Sequence, residues 1–174
     1  GTYRFANAPH DARLAALAFA LGSYRFSRYR KSDAASVRLQ LAGTHKLAIP
    51  TTWSNTDALY AMTVAPVDGV DTEILRNTYS ADLVTFVRPF VNHENCGIAW
   101  IGGSGLNGTD TDSLYAYSVV NREPCGPHVL AHETGHNLGA AHDRETASDN
   151  PEGELYFGAF NDSFGWRGWS GREF

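Results

Sequence analysis

The chain is short of methionine (one), short of cysteine (two) and short of base, with 14 Lys and Arg against 19 Asp and Glu and a formal net charge of -5. Each shortage removes a class of protein. A net-negative chain without a basic stripe argues against a nucleic-acid partner. Its one basic run, Arg25, Arg28, Arg30 and Lys31, reads as a solvated helix end. No apolar run approaches the roughly 18 residues needed to cross a bilayer, so no membrane partner is expected. Cys96 and Cys125 are too far apart for a cysteine-rich structural zinc site. They leave two readings. The favoured one is a disulfide, which would close a loop of about 30 residues and imply an oxidising, extracellular setting; the other is a pair of buried thiols. Repeats and low-complexity linkers are also missing, so the 174 residues read as one domain, 1–174. A chain of that size can bury roughly 70% of its unfolded surface.

What is present is an alternation of short elements. "DARLAALAFAL" at 11–21 has apolar and small residues at helical spacing and predicts a buried helix ending near Gly22. "VRLQL" at 37–41 alternates, which places Val37, Leu39 and Leu41 on one face of a half-buried strand that continues irregularly through Leu47 and Ile49 to Pro50. Residues 51–70, rich in Thr, Asn, Asp, Pro and Gly, read mainly as loop. A short helix is expected at 71–79, then a buried strand at 81–87. Further strands are expected at 96–103 and 114–121, with turn chemistry at 104–113 between them. Pro127 suits the first turn of a helix that runs to a stop at Gly139. The order predicts an α/β fold, a mixed sheet with helices packed on it.

The chemistry concentrates in "HETGHNLGAAHD" at 132–143. On a helix, His132 and His136 lie on one face about 6 Å apart along the axis, so their imidazoles can converge on one ion. Glu133 is turned about 100° from His132, misses the metal and faces the water that the metal activates. That is the layout for metal-assisted hydrolysis: a carboxylate takes the proton from water and later delivers it to the leaving amine. Gly139 accepts the positive φ of a helix C-terminal cap, which lets the chain reverse and present His142. Three neutral histidines then leave a position open for water, as catalytic zinc requires. Asp143 reads as a hydrogen-bonding support for that turn and not as a ligand. Five such fixed positions arise by chance on the order of 10⁻⁵ to 10⁻⁴ times in a chain of this composition, so the bland alternatives for a lone histidine do not apply to the set. They do apply to His10, His45 and His93, while His128, one turn before His132, could line the cleft. Asn107, Asp110 and Asp112 could coordinate calcium (Ca2+), although a solvated turn is the favoured reading there.

The same stretch resembles the zinc signature of the metzincin metallopeptidases, and the aspartate after the third histidine is most similar to the adamalysin, or reprolysin, branch and its secreted bacterial members, including the peptidyl-Asp metallopeptidases. "RNTYSADLVTFV", "CGIAWIGG" and "AYSVVNREPCGPHVLAHE" are similar to the strand–strand–strand–helix run of those bacterial members. The resemblance covers residues 71–166 and extends less closely from 37. It implies a zinc endopeptidase with one catalytic Zn2+ on His132, His136 and His142 and Glu133 as general base. It also implies a twisted mixed sheet with an antiparallel edge strand, and a substrate peptide or protein pairing with that edge at 96–103. The positions of Cys96 and Cys125 suit a bridge from the edge strand to the segment before the active helix. A secreted monomer is expected. Metzincins carry a methionine turn downstream of the third histidine, whereas the one methionine here is Met62. The catalytic domain is therefore expected to lack its Met-turn region. The alternative is a truncated or degenerate relative that binds zinc without proteolysis.

Overall fold

A computed structural model describes residues 15–17, 23–25, 36–90, 95–103, 116–149, 151 and 155–165. Their elements run β1 (Ala15–Leu17), β2 (Ser23–Arg25), β3 (Ser36–Arg38), β4 (Lys46–Leu47), α1 (Asn55–Val64), α2 (Thr72–Thr78), β5 (Val84–Arg88), β6 (Gly97–Ala99), β7 (Tyr117–Asn121), α3 (His128–Asn137) and α4 (Arg144–Ala147). A five-stranded sheet has the order β4-β1-β5-β7-β6, and β2 pairs with β3 in a separate ribbon.

The two strands richest in β-branched and aromatic residues, β5 and β7, take the middle and pair parallel, Val84 opposite Tyr117 through Arg88 opposite Asn121. Strands covered on both faces need such near-continuous apolar sequence. β6 pairs antiparallel with β7, Ile98 opposite Val119, and forms the edge. The two faces of β7 enter different cores. Tyr117 and Val119 join Leu59, Met62, Val84 and Phe86 beneath α1, whereas Val120 joins Cys125 and Val129 beneath α3. The sheet is therefore sandwiched between α1 on one face and α3 on the other, and α3 lies across β7 and β6.

Three expectations need correction. Residues 15–17, expected within a helix, form β1, whose Ala16 pairs with Val87 and Leu17 with Phe86. A short run of small apolar residues satisfies either period, and the free edge of β5 decides between them. Residues 51–70 contain α1 where loop was expected. Its start is a capping box: the Ser54 hydroxyl accepts from the Asp57 N–H at 2.9 Å, and the Asp57 carboxylate accepts from the Ser54 N–H at 3.2 Å. Asn55, Ala58, Leu59 and Met62 then make its buried stripe, and burying Leu59 and Met62 is worth about 1.5–3 kcal/mol each. The strand expected over 37–41 ends at Arg38, leaving Leu41 41% exposed, and strand structure resumes at β4, where Leu47 is buried. The remaining expectations hold: α2, β6, β7 and α3 fall within the ranges read for them, β5 overlaps its expected 81–87 and runs on to Arg88, and the turn at 104–113 lies outside the described residues.

Candidate metal centre

Pro127 is the N-cap of α3, and its φ of -66° already suits a helix. It carries His132 and His136 on the face that looks along the sheet edge, with Glu133 between them and only 4% exposed. The helix stops by a Schellman closure. The Gly139 N–H donates to His136 O at 2.8 Å and the Ala140 N–H to Gly135 O at 2.9 Å, with Gly139 at φ +91°. The reversal expected at Gly139 is thus made by backbone bonds that only a residue tolerant of positive φ can complete.

Beyond the reversal, residues 155–165 run beside the chain that leads to His142. The Ala159 N–H donates to Gly139 O at 2.7 Å, the Ala141 N–H to Ser163 O at 2.8 Å and the Gly165 N–H to Ala141 O at 2.8 Å. Asp143 caps α4: its carboxylate accepts from the Glu145 N–H at 3.2 Å and the Thr146 hydroxyl at 2.8 Å. These bonds start α4 directly after His142.

These elements bring three ring nitrogens together. His136 Nε2 lies 3.1 Å from His132 Nε2 and 3.2 Å from His142 Nε2, and the latter two are 3.3 Å apart. Nitrogens about 2.0–2.1 Å from a tetrahedral ion are separated by roughly 3.3 Å. The donor set therefore fits a divalent metal, and it is a group able to hold one. Two further features agree. His136 Nδ1 lies 2.7 Å from Ala140 O; a carbonyl can only accept, so Nδ1 carries the proton and Nε2 presents its lone pair to the cluster. Burial also pushes the His132 pKa down to about 4, helped by the charges of His136, His142 and His128. His136 is lowered mainly by burial, against a smaller opposing pull from the Ala140 carbonyl. Both rings are neutral at pH 7, the form that binds metal.

The cluster sits on the wall of an open cleft of about 560 Å³ between β6 and α3, lined among others by Gly97, Ala99, Ile101, His128 and Glu133. His128 does line the cleft. His45 lies half-buried, apart from the cleft, while His10, His93 and the calcium candidates Asn107, Asp110 and Asp112 fall outside the described residues. Cys96 and Cys125 are bridged, with Cα atoms 5.6 Å apart, which ties the start of β6 to the loop before α3. Two positioning groups escaped the sequence reading. The Asn137 amide donates to Trp100 O at 3.0 Å and to Tyr117 O at 2.9 Å, and the Gly102 N–H donates to His136 O at 2.9 Å. Together they lock the end of α3 to the exit of β6. An asparagine in the last turn of a helix is too common a pattern to have announced this.

Residues 25–143 match the family model described as metallo-peptidase family M12B, reprolysin-like. A peptidyl-Asp metalloendopeptidase of Pseudomonas aeruginosa is 38% identical over 80 residues, which cover 41% of this chain and 13% of that protein. The solved structure of a chaperone-substrate complex shares 23% identity at a TM-score of 0.40, covering 63% of this chain and 18% of that one, a likeness too slight to argue from. The chain thus spans a small part of the length of the relatives it matches.

Proposed function

Because the chain belongs to the reprolysin-like M12B metallopeptidase family, we propose that it is a zinc-dependent endopeptidase of metzincin-like fold. In this reading His132, His136 and His142 hold one zinc, and Glu133 is the general base. The observation that carries it is the convergence of three Nε2 atoms within 3.1–3.3 Å of one another on a cleft wall. When bound, zinc supplies Lewis acidity toward a peptide carbonyl and acidifies a water.

The rest falls to the chain's own groups. Glu133 takes the proton from the attacking water at its carboxylate and returns it to the leaving amine. His136 keeps its lone pair inward because its Nδ1–H is held by Ala140 O. Among the described residues β6 pairs on one side only, so an extended peptide can add to its other side through backbone hydrogen bonds. Gly97 and Ala99 line the cleft, so this edge of the sheet opens onto it. An extracellular monomer belongs to the same proposal. The disulfide supports the extracellular setting; no helix among the described residues is long and apolar enough to cross a membrane.

The test is metal content with cleavage. Purified protein is expected to hold about one zinc per chain and to cleave an unfolded protein in a chelator-sensitive way; peptides containing aspartate are the first defined substrates to try, given the name of the partial relative. Glu133→Ala should keep its zinc and lose at least about 10²-fold in rate. Cleavage unchanged in Glu133→Ala would refute the general-base role. A zinc-loaded but inactive parent chain would instead establish the binding-module alternative.

A further inference from the structure

Gly97 lies on the cleft side of the edge strand, and the space its missing side chain would fill is already taken. A Cβ built there falls 2.5 Å from Glu133 Oε1, 2.8 Å from Glu133 Cγ and 2.8 Å from Val129 Cγ1. Real Cβ atoms essentially never come under 3.0 Å. Strand alternation agrees with this direction: Ile98 and Trp100 pack into the core beneath α1, so Gly97 and Ala99 face α3.

The strand cannot retreat to make room. Gly97 is paired with Val120 of β7, Cys96 O accepts from the Asn121 N–H at 2.8 Å, and Cys96 is bridged to Cys125. α3 is held just as firmly at its far end, by Asn137 and Gly102. Of the three nearest atoms, two belong to the Glu133 side chain, which is longer and more flexible than the β-branched Val129. The Glu133 side chain is the part that would move.

We propose that Gly97 is a positioning residue for Glu133. The absent side chain lets the backbone of β6 close over the carboxylate, which fixes it in the cleft wall beside the three histidines. The inference rests on the reading of Glu133 as general base. It predicts that a methyl group at 97 displaces the base while leaving the metal-binding nitrogens alone.

The experiment compares the parent chain, Gly97→Ala, Glu133→Ala and the double variant in zinc affinity, steady-state cleavage and melting temperature. Gly97→Ala should bind zinc within about twofold of the parent. Its kcat should fall by about 10²-fold with KM little changed, the size of effect that misplacement by about 1 Å produces. Where Glu133→Ala has already removed the carboxylate, Gly97→Ala should cost no further rate and a smaller drop in melting temperature. Parental kcat in Gly97→Ala overturns the proposal, as does zinc affinity that falls in step with the rate. An equal melting cost in both backgrounds also overturns it, whatever the activities. If Glu133→Ala keeps full activity, the general-base reading fails, and the melting comparison alone then decides whether Gly97 positions that side chain. Should Gly97→Ala fail to fold, a folded double variant supports the proposal, and a double variant that also fails overturns it.

Discussion

At the scale of single residues, the histidine cluster ties stability to pH with a definite sign. Burial holds His132 at about 4, below the ordinary value of 6.5, and lowers His136 in the same direction. Between those two pH values the unfolded chain binds a proton at His132 that the folded chain refuses, so stability rises with pH across the window. The contribution is complete above pH 6.5, is lost as pH falls toward 4, and changes no further below that. In chelator-treated protein the melting temperature should therefore drop steadily on acidification through this range. His132→Gln, which cannot titrate, should flatten the slope; an unaltered slope in that variant would remove His132 as its source. Saturating zinc should shift the loss to lower pH, because protons and metal compete for the same lone pairs. The clustering of the three histidines was legible in the sequence because their geometry is local: four residues make a helical turn, and one glycine makes the reversal. Gly97 was not legible. What forbids a side chain there is Glu133, which the fold brings up from a different element.

At the scale of elements, α3 was read almost to its ends, because a proline at its start and a glycine beyond its stop mark it in sequence. α1 was missed although Ser54 and Asp57 announce a capping box, since the Thr, Asn and Asp residues around them suit turns equally well. β1 was missed because its partner, β5, lies far along the chain. The single methionine, Met62, is 1% exposed in the core beneath α1 and so serves packing there. Least legible of all was the segment 155–165, which braces the chain leading to His142. Its fit depends on Gly158: a Cβ at that position would collide with the carbonyl oxygens of Gly139 and Ser163. Those atoms are backbone and cannot swing aside. Gly158→Ala is therefore expected to cost about 1–3 kcal/mol of stability and to loosen the approach of His142, lowering zinc affinity by about 10–100-fold as losses of ligand support do. Competition against a chromogenic chelator would measure this. Zinc affinity equal to the parent's would show that His142 does not depend on the brace.

At the scale of the whole molecule, the cleft lies between β6 and α3, and the two faces of the sheet carry separate cores. The main core joins α1 to β5, β7 and β6, while α3 rests on a smaller cluster of Val120, Cys125 and Val129. A small core cannot by itself hold an edge strand and a helix in register. The bridge between Cys96 and Cys125, 29 residues apart, supplies the constraint, and it does so within both the smaller core and the cleft lining. By the chain-entropy account a loop of that length makes the disulfide worth roughly 3–4 kcal/mol, a large share of the 5–15 kcal/mol typical of a domain. Replacing both cysteines by serine, or reducing the bridge, should then lower unfolding stability by about that amount. The zinc site should respond less than the substrate site. His132, His136 and His142 are set by α3 and by the segment beyond it, on the side away from Cys125, whereas the start of β6 is set by Cys96. A double serine variant, kept below its melting temperature, should therefore bind zinc nearly as the parent does. Its KM should rise with loosening of the edge to which a peptide would pair. Zinc affinity lost together with KM would show instead that the disulfide holds the whole cleft as one unit.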